Sequence, residues 1–233
     1  MALSALALSN YFDRKYLMKN ATLHIIVDPL CGWTYGSVPL ITAAENIDGL
    51  IVKVHSGGML TGDNVKPVTP AWREFALKND SVIAKKTGQV FGSNYTDGLL
   101  KTNDIILNSA QAITAILAAQ ELGISGGEML NSIQHAYYAQ GKNIMQLHVL
   151  ADIALELGLN KALFETHFNA LEGDATDQHI AQSRGLLHDI HGQGFPSAAF
   201  EFDTGKWKKA DIAHYYGKTE QWVTYLQQSV ALV

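Results

Sequence analysis

From residue 69 to residue 191 the sequence carries helical patterns and no convincing strand, and every clear strand signal lies outside that stretch. A sheet in this chain must therefore be assembled from its two ends, with a helical block inserted between them. At the first end, Ala21–Asp28 (ATLHIIVD) is short, apolar and rich in β-branched residues, and it stops at Pro29. That is the signature of a buried strand. Over 32–47, Val38, Leu40, Ile41, Ala44 and Ile47 recur at helical spacing, with Pro39 inside the pattern and expected to kink it. Leu50–His55 (LIVKVH) reads as a second strand. Strand, helix and strand with a short return make a βαβ unit with parallel strands.

Inside the block the helical segments read 109–122, 128–140, 146–157, 161–171 and 176–190. Gly123, Gly141, Gly158, Gly173 and Gly192 follow them in turn. Glycine just past a helix is expected as a left-handed cap. After Gly192 the pattern reverts. Ser197–Phe202 alternates as a strand does, Asp203-Thr204-Gly205 is a turn signal, and 206–210 reads as the returning strand. A closing helix over 219–229 sets Trp222, Val223 and Leu226 on one face, with Val230 just beyond. The expected class is α/β, with a βαβ half and a ββα half. The domain reading is an N-terminal extension over 1–20, a sheet domain from 21–68 and 192–233, and a helical insertion over 69–191. The compact part is expected to begin near Met18. The segment before it lacks the basic start of a secretory leader, and its apolar run is very short.

Composition narrows the function. The chain has 233 residues, 47% of them hydrophobic, and a net charge of −5. No run of like charge stands out, so neither nucleic acid nor an anionic membrane is an expected partner. No apolar stretch is long enough for a membrane span. There is one cysteine. It excludes an internal disulfide and suits a reducing compartment, so a cytoplasmic location is expected.

That cysteine, Cys31, lies between the first strand and the helix after it. The start of a helix offers unpaired N–H groups and the positive end of the dipole, which favour an anion. A thiolate is such an anion. The expectation is a lowered thiol pKa, in the range of roughly 3.5 to 7.5 for such positions, and thus an attacking sulfur near neutral pH. Thr34, three residues on, can donate to that sulfur, and Trp33 can present a ring to a substrate. The competing reading is a small buried hydrophobe.

Cys31-Gly32-Trp33-Thr34 after the first strand, and Gly194-Phe195-Pro196-Ser197 before the strand that follows the helical block, together resemble the active-site pair of the thioredoxin superfamily. The long insertion resembles its DsbA branch. The ordered set Asp28 to Trp33, Tyr35-Gly36, Gly57 to Leu60, Thr87-Gly88-Gln89 with Phe91-Gly92, and Gly194 to Pro196 is similar to the FrnE-like group of that family, often named for protein-disulfide isomerase activity. The resemblance implies a thioredoxin-like fold with an inserted helical domain. It implies that Cys31 is the nucleophile and Pro196 a cis-proline beside it. It implies that Gly32 and Trp33 tune the sulfur, and that Phe195 offers its backbone to a bound peptide or thiol. Thr34 stands where the family has its resolving cysteine.

With threonine there, the chain can neither store a disulfide of its own nor use a second thiol to release a mixed one. The expected activity is thiol–disulfide exchange or isomerisation by a monothiol route, with protein thiols or glutathione as partner. Glutathione would be a co-substrate, with no tightly bound cofactor and no metal. Two alternatives keep the fold: a non-catalytic module that binds peptides on the Trp33/Phe195 surface, and a glutathione-dependent transferase or isomerase. The oligomeric state is not readable. Asp28 is either a carboxylate that influences the sulfur or a strand-end cap. His55, Gln89 and Tyr95 would line a cleft on family grounds. His188 and His191 could share a helix face, but no motif accompanies them that would make a metal site.

Overall fold

The computed structural model describes residues 21–231 except Asn103. The N-terminal extension expected over 1–20 lies outside the described residues.

Four strands form one sheet in the order β2-β1-β5-β6: β1 (Ala21–Val27), β2 (Leu50–Ser56), β5 (Ser197–Glu201) and β6 (Trp207–Ala210). β1 and β2 run parallel, and β5 and β6 add antiparallel neighbours. The first-end and last-end strands thus share one sheet, as the strand-poor centre requires. This is the thioredoxin-like arrangement with its helical insertion. β1 is buried on both faces, which is why it reads as a continuous apolar run.

Helix α1 (Gly32–Glu45) is continuous through Pro39 and packs against α2 (Pro70–Thr87), α4 (Gly126–Gln134) and α8 (Thr219–Ala231). α3 (Ser109–Glu121), α5 (Leu147–Glu156) and α6 (Lys161–Leu171) complete the inserted block, and α7 (Asp174–Asp189) lies over β1 and β2. A single apolar cluster runs from Leu23 and Ile25 through Leu40 and Ile41 to Ile116, Met129 and Phe164, so sheet and insertion share one core.

The block holds two features that periodicity does not show. A two-residue strand β3 (Lys66–Pro67) pairs with β4 (Ile106–Leu107), so one short strand does fall inside the helical stretch. The helix expected over 128–140 ends at Gln134 and continues as a π-helical turn, His135–Ala139; a second such turn spans Asn94–Gly98. Four of the five glycine stops have positive φ. The fifth is corrected: the left-handed residue is His191 (φ 52), not Gly192.

Candidate functional site

Strand register builds the site. Ile26 of β1 pairs with Ser197 of β5, so the segment just before Ser197 lies opposite the loop that leaves β1. The Phe195–Pro196 peptide is cis, and the Cys31 thiol donates to the Phe195 carbonyl at 3.4 Å. The Phe195 ring packs where a β-carbon at Gly57 would otherwise stand. That close approach explains why glycine follows β2. Cys31 is the residue immediately before α1 and is 8% exposed.

The loop carrying Cys31 is tied down from several sides. The Asp28 carboxylate accepts from the Leu30 N–H at 2.8 Å, the Met59 N–H at 2.6 Å and the Ser109 hydroxyl at 3.0 Å. Gln134 Nε2 reaches the carbonyls of Asp28, Pro29 and Cys31 at 3.3, 3.1 and 3.4 Å. Trp33 is held through its carbonyl, which accepts from the Tyr216 hydroxyl at 3.0 Å. Lys86 Nζ lies 5.8 Å from the centre of the Trp33 ring. Thr34 is fully buried, and its hydroxyl accepts from the Asp28 N–H at 3.3 Å.

The electrostatics correct the expected low thiol pKa. Burial pushes the Cys31 thiol up to about 11, and the nearby Asp28 charge adds to the rise. The Thr34 N–H and hydroxyl and the Trp33 N–H pull the other way but do not win. The helix start is present, as the sequence suggests, yet desolvation of the thiolate outweighs it. Asp28 is itself raised to about 6 by burial, against the pull of its donors. Asp28 thus caps the end of β1 through the Leu30 N–H, and its charge lies close enough to Cys31 to oppose the thiolate.

Two cavities meet at Trp33. One, of about 420 Å³, runs along Gly194–Ala198 to Lys86, Lys209 and Tyr216. The other, of about 240 Å³, is lined by Cys31, Gly32, Met59 and a set of aromatic rings, with Asp80 among them. Gly32 fits because a β-carbon there would stand 2.9 Å from Ile83 Cδ1 and 3.0 Å from Asp80 Oδ1.

Cys31, Gly32, Trp33, Thr34, Phe195 and Pro196 thus converge. Tyr95 joins them through the smaller cavity. His55 does not: its Nε2 lies 2.9 Å from His24 Nδ1. Gln89 ties helices instead, donating to the Tyr35 carbonyl at 2.7 Å. His188 pairs with the adjacent Asp189. Among the described residues no three His, Cys, Asp or Glu side chains gather as a metal-holding group. Gln134, Asp80 and Ser109 were not legible as site residues, since nothing local to them marks a site.

A thiol facing the peptide before a cis-proline, at the junction of β1 and α1, defines a thiol protein of the thioredoxin fold. The comparisons narrow this. The structure of DsbM from Pseudomonas aeruginosa, described as a cytosolic disulfide reductase, matches with 39% identity over 91% of this chain and 100% of its own, at a TM-score of 0.85. The same protein determined with GSH matches with 38% identity over 90% of this chain and 99% of its own, at a TM-score of 0.83. A provisionally named protein disulfide isomerase from Nitrosomonas europaea shares the fold at 21% identity over 91% of this chain and 97% of its own, with a TM-score of 0.73. No protein-family model and no curated protein matches the sequence. The chain belongs to the DsbA family.

Proposed function

We propose that this chain is a thiol–disulfide oxidoreductase that works through Cys31 alone, by a monothiol route with glutathione as co-substrate. The observation that carries the reading is the sulfur of Cys31 against the Phe195 carbonyl at the cis Phe195–Pro196 peptide. The similarity to DsbM, a disulfide reductase that has been determined with GSH, supports the choice of thiol. Cys31 would attack a glutathione mixed disulfide, carry the glutathionyl group, and lose it to a second glutathione thiolate. Thr34 would hold the sulfur without competing for it. Gly32, Trp33 and Phe195 would border the bound thiol, and Pro196 would shape its approach. The sheet elements and the block over 69–191 would act as two lobes around this site. No described helix is long and apolar enough to cross a membrane; a cytoplasmic location is part of the proposal, with DsbM as its support.

One observation favours a second reading. A thiol held near pKa 11 is protonated at neutral pH, which suits a binding module better than an unassisted nucleophile. The test is glutathione-dependent reduction of the mixed disulfide of glutathione and 2-hydroxyethanethiol. The wild type is expected to turn over and Cys31→Ser to be inactive. Equal rates for both would leave the binding module.

A further inference from the structure

The smaller cavity beside Cys31 is not the groove along the cis-proline. It opens on the other side of Trp33, between Gly32 and α2. Its walls include Trp72, Phe75, Tyr95, Tyr137 and Tyr138. The tyrosines arrive on the two π-helical turns, a kind of irregularity that recurs at functional sites. Asp80 is the one carboxyl in this lining. Its Oδ2 accepts from the Tyr95 hydroxyl at 3.0 Å, and its Oδ1 faces Gly32, the neighbour of Cys31. No described lysine, arginine or histidine pairs with it.

We propose that this cavity receives the leaving half of a glutathione mixed disulfide, an apolar thiol bearing one ring or a branched chain, and that Asp80 protonates its sulfur. The proposal rests on the thiol-exchange reading above. In the step, the Cys31 thiol gives its proton to water and its sulfur attacks the glutathione-side sulfur of the substrate. The Cys31–glutathione disulfide forms and the substrate disulfide breaks. The electron pair goes to the apolar thiolate, which takes the proton of the Asp80 carboxyl. Asp80 then recovers a proton from water.

The ring-lined walls supply apolar contact and edge-to-face partners, so the cavity favours an aromatic or aliphatic group over a charged one. The carboxyl is suited to proton transfer because burial raises it to about 7, opposed by the Tyr95 hydrogen bond. Besides Tyr95, the titratable groups around it are Tyr137 and Tyr138 from the second π-helical turn and Cys31 from the head of α1. The burial of all three tyrosines holds their hydroxyls protonated, well above their ordinary value.

Two mixed disulfides of glutathione test this, one with phenylmethanethiol and one with 4-nitrobenzenethiol. Both carry a ring, but only the first releases a basic thiolate that needs a proton. The expected result is that Asp80→Asn lowers the ratio of the phenylmethanethiol rate to the nitrobenzenethiol rate by about 10²-fold, the scale of general-acid catalysis. With the first substrate the wild-type rate should level off above about pH 7, where the loss of the acid form offsets the gain in Cys31 thiolate, and this levelling should vanish in Asp80→Asn. An unchanged ratio, however far both rates fall, overturns the proposal. A wild type that turns over neither substrate overturns the thiol-exchange reading itself.

Discussion

Two buried carboxyls flank the start of α1, and they are held in opposite ways. Asp28 lies behind the sulfur and accepts from two backbone N–H groups and a serine hydroxyl. Asp80 lies at the cavity wall with a single tyrosine donor. Burial raises both, Asp28 to about 6 and Asp80 to about 7. The donors around Asp28 come from the β1–α1 loop, the segment after β2, and α3. That makes it a tie between sheet and insertion whose charge also bears on Cys31. Among the described residues, Asp80 accepts from one side chain only, and in the proposal it exchanges a proton. The same residue type thus fixes the loop on one side of the thiol and stays chemically available on the other.

Asp28→Asn should break the first half of this contrast, with the largest effect. An amide nitrogen would face a donor that the carboxylate accepts, and an unsatisfied buried donor costs about 2 kcal/mol. Chemical denaturation checks the loss. The same variant removes the like charge near the sulfur, so the Cys31 thiol should titrate below its wild-type value of about 11. Alkylation rate against pH reads this, and a midpoint that stays put would mean that the Asp28 charge does not reach the sulfur.

Asp80→Asn should sharpen the second half, through a pH dependence rather than a fixed loss. The folded-state value of Asp80, about 7, lies above its ordinary 3.8, so the folded protein binds this proton more tightly than the unfolded chain. Its contribution to stability is present at low pH and is lost as pH rises through about 7. Asparagine does not titrate. The difference in Tm, variant minus wild type, should therefore grow between about pH 5 and about pH 8. A flat difference would contradict the raised value.

The same contrast separates what the sequence reveals from what it hides. Cys31, Trp33, Thr34, Phe195 and Pro196 sit in two short motifs at strand ends, and the strand-poor centre forces those motifs onto one sheet. Gln134 reaches Cys31 across a separation of 103 residues from the end of an ordinary-looking amphipathic helix. Nothing local marks it. Tyr137 and Tyr138 face the cavity because the helix widens into a π-turn, which a 3.6-residue period cannot show. β3 and β4 are two residues each, too short to carry an alternation. The thiol departs from the sequence expectation for a physical reason. The helix start is visible in the sequence, but the burial that overrides it belongs to the tertiary structure.

The central claim is that Cys31 exchanges with glutathione and needs no second cysteine. Intact-mass spectrometry after incubation with oxidised glutathione at neutral pH tests it most directly. The account predicts one glutathione adduct on the wild type, none on Cys31→Ser, and loss of the adduct when reduced glutathione is added. A wild-type thiol that stays unmodified would contradict it.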